Sequence, residues 1–492
     1  EAALAHLGGA PRRGHLSAPD FDGDPDVPGD IPAEIALQIV RAFDPMHGGL
    51  GADPKFPQPD VFAFVLAYAE LRAGGDPLRV APHTSALLTP ARVHEVVRTT
   101  LERMAGGGLY DHVAGGFFRY ATQRDWSVPH YEKMLEDNAR LAGLYLEAAV
   151  LARGDAPGGD GAAHAGLGPG ALYRATAEGT IDYLLATLWR AELPAFGGSQ
   201  DADEHYYRLD AAGRAELPEP FVDPTVYVDW NALAARALLR AAPVIQRPEL
   251  TERAVELLGF LWEHGRRDAA MAHYLTPAGE PGPGAPLLVD QATMASALLD
   301  AYEVTAERRW LEGAQALAGW ASERLRAADG RLHDRLAEPG ASAGLLARPL
   351  PVLEENALMV EVLLRLEAYT GEGAWRDRAR EILTAWATHY EEHGVAAAAY
   401  GQALLRYLER PDHIVVVGSR GDAAARRLHG AALAAPRPLR TVQLLDPDDA
   451  ADAQRMAALG FARAAAPAAY VCRGATCLAP VTDPDELGRP LS

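Results

Sequence analysis

Lysine is almost missing from this chain. Of 46 basic Lys and Arg residues, only Lys55 and Lys133 are lysines. Lysine is a compact point charge on a slim stem, whereas arginine is a broad planar fork. The two survivors suggest places where a fork would not fit, holding a ligand or bracing the fold; the alternative is chance together with a buried structural ion pair. Cysteine is nearly as scarce, with two residues, which excludes a disulfide-built scaffold. Cys472 and Cys477 flank a plausible hairpin turn, Arg473 to Thr476. A structural zinc needs about four ligands and no His lies nearby, so unpaired thiols are expected, with a cross-hairpin disulfide as the alternative.

Excess positive charge is lacking too. The net charge of −21 repels phosphate and anionic lipid, so neither nucleic-acid nor membrane partners are expected. No stretch approaches the roughly 18–20 apolar residues of a transmembrane helix. The first residues, Glu1 to His6, show no basic segment leading into an apolar one, so no signal peptide is expected. The chain starts on Glu rather than Met and reads as processed or a fragment. A cytoplasmic location follows as an expectation.

What is present is a helical repeat. Apolar residues make up 49% of the chain, ordinary for a globular core. Residues 1–30 are rich in Gly, Pro and Asp and read as a linker. From Ile31 to about Leu408, helical periodicity predicts twelve segments starting near residues 31, 60, 90, 129, 171, 229, 248, 289, 307, 354, 372 and 400. The even-numbered segments share a register. Asp137-Asn138-Ala139, Trp230-Asn231-Ala232, Asp290-Gln291-Ala292 and Glu355-Asn356-Ala357 align, each followed by an apolar pair such as Leu238-Leu239. The odd segments end in Gly-, aromatic- and acid-bearing loops, among them Gly106 to His112 and Phe196 to Asp201; weaker versions surround His273-Tyr274 and Leu332-His333-Asp334. Such hairpins cannot bury their faces alone and must stack or close. The expected fold is all-α: an (α/α)6 toroid over residues 31–410, its even helices forming the inner ring. A small α/β appendix is expected over 411–492, with strands at Ile414–Gly418 and Thr441–Leu445 around a helix at Ala423–Ala432.

The densest chemistry lies between Gly106 and Asn138, where Asp111, His112, Arg119, Tyr120, Trp126, His130, Glu132, Lys133 and Asp137 crowd together. Ser127 reads as an N-cap with Pro129 in the first helical turn. That would set His130 and Glu132 at the positive end of a helix dipole and keep the imidazole neutral, ready for general base work. His130, Lys133 and Asp137 would share one helical stripe. The competing reading is an interlocking ion-pair network. Asp201, Asp203 and Glu204 form an acidic loop suited to sugar hydroxyls or a hard cation, or simply a solvated turn; the EF-hand pattern is absent. Asp229 reads as an N-cap, and Trp230 beside Asn231 as a stacking surface or a core residue. Glu354 and Glu355 are weaker candidates, and Asp290 reads as a cap.

Gly48 to Pro57 (with Lys55 and Phe56), Gly107 to Tyr120, Trp126 to Asn138, Ser199 to Asp203, Asp229-Trp230-Asn231 and Tyr470 to Pro484 resemble the YyaL / spermatogenesis-associated thioredoxin-like protein family. The resemblance implies a six-hairpin toroid akin to N-acylglucosamine 2-epimerases and six-hairpin glycosidases. In that family the toroid follows a thioredoxin-like domain with a Cys-x-x-Cys-type site. No such domain stands in these residues, and Cys472 and Cys477 do not replace its motif. Two functions follow as expectations. One is a pocket converting a sugar-like small molecule by acid–base chemistry, with His130, Glu132, Asp111, His112, Asp201 and Asp203 moving protons. Lys55, Phe56, Arg119, Tyr120, Trp126, Lys133, Asp137, Asp229, Trp230 and Asn231 would bind the substrate. The other is a non-catalytic module serving a thioredoxin-like domain or protein. No cofactor and no metal are expected.

Overall fold

The even and odd helices differ in how much of their circumference is apolar, and that difference sorts them into two layers. The computed structural model describes residues 27–73, 87–152, 168–336 and 348–488, apart from 462, 464, 465 and 475; most of the expected linker therefore lies outside the described residues. In α8 (Leu288–Thr305) nearly every residue from Leu288 to Tyr302 is buried. In α7 (Glu249–His264) burial follows one stripe: Leu250, Ala254, Leu257, Leu258 and Leu261. The inner helices are α2 (Pro59–Ala73), α4 (Leu135–Leu151), α6 (Val228–Ile245), α8, α10 (Leu353–Thr370) and α12 (Ala398–Glu409). Each packs on the next, and α12 packs back on α2, so the ring is closed.

The outer helices are α1 (Ile31–Ala42), α3 (Pro90–Gly106), α5 (Pro169–Tyr183), α7, α9 (Arg308–Arg324) and α11 (Gly373–Trp386). Each packs most closely on the inner helix that precedes it, and α1 completes the circle against α12. Small residues let the inner helices approach closely. A Cβ on Gly401 of α12 would lie 2.8 Å from the Phe64 ring of α2.

The shared amides explain the repeat. Asn138 Oδ1 accepts from Phe117 N at 2.6 Å, and its Nδ2 donates to Phe117 O at 2.9 Å and to Met134 O at 2.8 Å. Asn231 treats Phe196 and Tyr227 in the same way, Gln291 treats Met271 and Leu287, and Asn356 treats Leu332 and Val352. Each amide imitates a strand partner for one loop residue and also satisfies the carbonyl of its own helix's N-cap residue. None of these four N-caps has a side-chain cap bond; what the amide satisfies is the buried N–H and C=O of the clamped loop residue, which would otherwise lack partners.

The fourth helix begins at Leu135 rather than near residue 129. The segment before it is extended, because Pro129 and His130 pair antiparallel with Ala121 and Tyr120, and Lys133 and Met134 with Gln200 and Ser199. Ser127 caps nothing; its hydroxyl bonds Asp125. Asp229 is likewise no N-cap, since the helix starts one residue earlier with Tyr227 extended before it.

The appendix holds β1 (His413–Val417), α13 (Ala423–Leu433), β2 (Thr441–Leu445), α14 (Ala450–Ala458), β3 (Ala468–Arg473) and β4 (Thr476–Cys477). Strand order is β2-β1-β3-β4, with β1 parallel to β2 and antiparallel to β3. Cys472 and Cys477 face each other across the β3–β4 ladder and are joined as a disulfide, correcting the expectation of unpaired thiols. The sheet sits on the C-terminal ends of the inner helices. Gln443 Nε2 donates to Tyr302 Oη at 2.8 Å, His429 Nε2 meets Glu303 O at 2.7 Å, and Arg455 donates to Ala368 O at 2.7 Å. One end of the ring is thereby covered. Replacing Asn231 with Ala removes three buried hydrogen bonds and is expected to cost about 2–4 kcal/mol in chemical denaturation. Arg98→Ala, at an exposed pair, serves as control and should cost under about 1 kcal/mol. Equal effects would refute the clamp.

Candidate functional site

Both lysines are fully buried and occupy equivalent braces. Lys55 Nζ donates to Asp44 Oδ2 at 2.7 Å and to Gly48 O; Lys133 Nζ donates to Asp111 Oδ2 at 2.7 Å and to Gly115 O at 2.8 Å. Each aspartate also folds its own Gly-Gly loop, accepting from Met46 and His47 or from Val113 and Ala114. An arginine completes each brace: Arg124 on Asp44 at 2.7 Å, and Arg214 on both oxygens of Asp111 at 2.8 and 3.0 Å. Burial opposes the charge on Asp111, but Arg214 and Lys133 outweigh it and hold the carboxyl at about 2. Burial pulls Lys133 down to about 8 against the attraction of Asp111.

The ammonium of Lys133 lies 4.2 Å from the Tyr183 ring centroid, and the glycine beside the brace has no room for a side chain. A Cβ on Gly116 (φ +77°) would fall 2.5 Å from Tyr183. Trp126 plays the part of Tyr183 in the first brace, fully buried and donating to His47 O at 2.8 Å. Asp111, Lys55, Lys133 and Trp126 are therefore enclosed, and Trp126 offers no face to a ligand.

Other expected residues lie on the rim. The His130 ring stacks on Tyr120 at 5.0 Å, and Tyr120 on Phe56 at 5.0 Å. Arg119 pairs with Glu132 at 2.8 Å, whose carboxylate is 3.9 Å from His130 Nδ1. His130, Lys133 and Asp137 do not share a stripe, because only Asp137 is helical. His112 is exposed and bonds Gly107 O at 3.0 Å. Asp201 and Asp203 are exposed on the loop before a short helix, Glu204–Tyr207, which Asp203 caps.

The inner helices all start at one end of the ring, and there a cluster forms that includes residues sequence reasoning passed over. Asp290, fully buried, holds His273 Nδ1 at 3.1 Å. His273 leaves 38% of its side chain open. One donor atom each from Asp229, His273 and Asp290 lies within 4.8 Å of the others, a spacing that a small cation would also accept. Asp229 Oδ1 and Glu355 Oε2 are buried without a hydrogen-bond partner. Burial and then Asp290 push Asp229 up to about 7. Burial raises Asp290 to about 6 despite the His273 bond, and that bond raises His273 in turn. Burial and then Asp334 push Glu355 up to about 8, and burial with Glu136 pushes Asp137 up to about 7. Trp230, half-buried, lies against Tyr227 with ring centroids 4.3 Å apart.

Below this mouth an axial cavity of about 210 Å³ runs between the inner helices, bordered by Asp60, Arg140, Arg236, Glu355 and Gln402. It continues into a deeper space of about 120 Å³ that shares Glu147, Arg236, Arg240, Glu361 and Gln402 and is floored by Arg437, Leu439 and Arg440 of the appendix. No helix among the described residues is long and apolar enough to cross a membrane.

A closed ring of six inner and six outer helices is an (α/α)6 toroid, a fold also seen in solved carbohydrate epimerases, isomerases and glycoside hydrolases. TM-scores are 0.53 with a cellobiose 2-epimerase from Bacillus thermoamylovorans (11% identity, 74% of this chain and 87% of that one) and 0.52 with a D-mannose isomerase (14%, 79% and 99%). A GH76 α-mannanase from Bacteroides thetaiotaomicron also gives 0.52, at 10% identity over 78% of this chain and 96% of that one. At these identities the likeness shows the fold. In sequence, the chain is homologous to proteins named spermatogenesis-associated protein 20. The human protein is 26% identical across 92% of this chain and 68% of its own length, and the rat protein 25% across 92% and 67%. No family model matches.

Two tests follow. Lys133→Arg forces a wider head into a closed brace and should destabilise by about 1–3 kcal/mol; unchanged stability would remove the steric argument. Carboxyls raised in the folded state bind more protons folded than unfolded. Their stability contribution is present below the ordinary carboxylate range and is lost as pH rises toward the folded values of about 7 for Asp229 and about 8 for Glu355. Denaturation midpoints should fall between pH 5 and 8, less so in Glu355→Gln; midpoints rising over that window would contradict the assignment.

Proposed function

We propose that this toroid converts a sugar-like small molecule by proton transfer at the mouth of the ring. His273 and Asp290 form the working pair, with Asp229 and Glu355 beside it. The observation that carries this reading is the buried Asp290 holding one nitrogen of a half-open histidine, next to the buried, unpartnered oxygen of Asp229. Opposed acid and base groups whose environments set them near neutral pH are what proton abstraction next to a carbonyl requires. On an open-chain aldose, one group takes the C2 proton while another protonates the carbonyl oxygen, giving an enediol. Protonating C2 from the other face while the O1 hydroxyl gives up its proton yields the epimer, and protonating C1 while the O2 hydroxyl gives up its proton yields the ketose.

The sequence-predicted residues take two roles in this reading. Phe56, Tyr120, His130 and Trp230 line the entrance and meet the flat face of the sugar, with Arg119 and Glu132 beside them. Asp111, Lys55 and Lys133 hold the loops. Arg119 pairs with Glu132 at the rim and Lys133 with Asp111 away from Asp137, so neither pair fills the axial cavity. That favours a converting site over a purely structural module.

The experiment incubates the chain with an aldose panel in D2O and follows deuterium entry at C2 by NMR. His273→Ala and Asp290→Asn should each slow exchange by about 100-fold or more, while His130→Ala stays within about tenfold, and chelation changes nothing. Full exchange in His273→Ala would overturn the proposal. Loss on chelation with recovery on adding a divalent cation would replace it with a metal centre.

A further inference from the structure

The floor of the cavity is built differently from its mouth. Asp300 of α8 is buried and serves three guanidiniums. Arg236 Nε reaches its Oδ2 at 3.0 Å, Arg240 Nε the same oxygen at 3.3 Å, and Arg365 its Oδ1 at 2.6 Å. Arg236 and Arg240 are thus pinned by their inner nitrogen. Among the described residues, no further hydrogen bond engages the terminal amino groups of either, and both residues border the cavity. Arg240 keeps 45% of its side chain open although it sits deep on the axis. Burial and the flanking guanidiniums of Arg240 and Arg365 hold Arg236 at about 10, against the pull of Asp300. Three acids lie nearby. Glu303 is held by Arg365 and Tyr369; Glu361 is held by Arg406 through Oε2, with Oε1 buried and unpartnered; Glu147 faces Arg240 as a Coulombic partner.

We infer that Arg236 and Arg240 form an anion-binding floor, and that the molecule taken by the ring is a sugar carrying a terminal phosphate or carboxylate. This rests on the proposed proton-transfer site for the other end of the molecule. Two guanidinium forks with outward amino groups match the oxygens of such an anion, each able to give paired charge-assisted bonds. Helical rise sets the reach. Arg236 lies seven residues beyond Asp229 on α6, about 10 Å further down the axis, and Arg240 eleven residues, about 16 Å. The first distance is comparable to an extended six-carbon sugar chain with a terminal anionic group, and Arg240 brings its head to the same level, since both Nε atoms bond one oxygen of Asp300. The appendix then acquires a role: by closing the ring beneath these arginines it makes the passage a blind pit, in which the anion fixes how far the sugar descends.

The test measures calorimetric binding of glucose, glucose 6-phosphate, glucuronate and inorganic phosphate to the full chain and to Arg240→Gln and Arg240→Lys. Glucose 6-phosphate or glucuronate should bind at least about tenfold tighter than glucose. Arg240→Gln should erase that difference, and Arg240→Lys should restore only part of it. Which anion binds tighter decides between phosphate and carboxylate. Equal binding of charged and neutral sugars, with Arg240→Gln silent, overturns the floor, as does a chain that binds no anion. Binding of inorganic phosphate that Arg240→Gln abolishes, without binding of any sugar, supports the floor and sinks the proton-transfer reading instead. Circular dichroism and melting of Arg240→Gln separate lost binding from lost fold.

Discussion

The side-chain amide that joins four of the six inner helices to the loops before them is the constraint on which the site depends. Asn138, Asn231, Gln291 and Asn356 each grip both backbone groups of one loop residue. The clamp fixes more than the loop. In three of the four, the residue before the amide interacts with the loop residue two places beyond the clamped one. Gln291 holds Met271, so Asp290 meets His273. Asn356 holds Leu332, and Glu355 feels Asp334. Asn138 holds Phe117, and Asp137 feels Arg119. One repeated backbone device thus presents different chemistry at successive positions around the mouth.

Charge is arranged in three zones, two on the axis and one outside it. The mouth holds acids that burial and mutual repulsion drive toward their neutral forms, despite the favourable dipoles of the helix starts. Outside the axis, the Lys55–Asp44 and Lys133–Asp111 pairs are closed and paired, and they carry loops rather than substrate. At the floor, three guanidiniums outnumber the one carboxylate they share. A buried charge persists where its partners are geometrically fixed. The braces meet that condition internally, whereas the floor leaves its outer nitrogens for another molecule.

Much of the ring was legible in the sequence, because the amide register recurs in four of the six hairpins and six hairpins suffice to close a ring. The start of the fourth helix was not. Ser127 and Pro129 carry the local signals of a helix start, yet the pairing of residues 129–130 with 120–121 depends on a turn that local propensity does not reveal. Trp126 looked like a ligand platform because its environment, the crowded glycine loops, is assembled from distant segments. His273 was passed over because its loop has fewer glycines than its counterparts, and Asp290 because an acid in a first helical turn is ordinarily a cap. Their equivalence to Arg119 and Asp137 in the repeat was the signal available.

The measurement closest to the central claim is an NMR titration of the His273 ring in the intact chain and in Asp290→Asn. The hydrogen bond to Asp290 raises the histidine. The account therefore predicts protonation persisting above the ordinary histidine range, returning toward that range when Asp290 becomes Asn. A ring that titrates normally and ignores the substitution would contradict it.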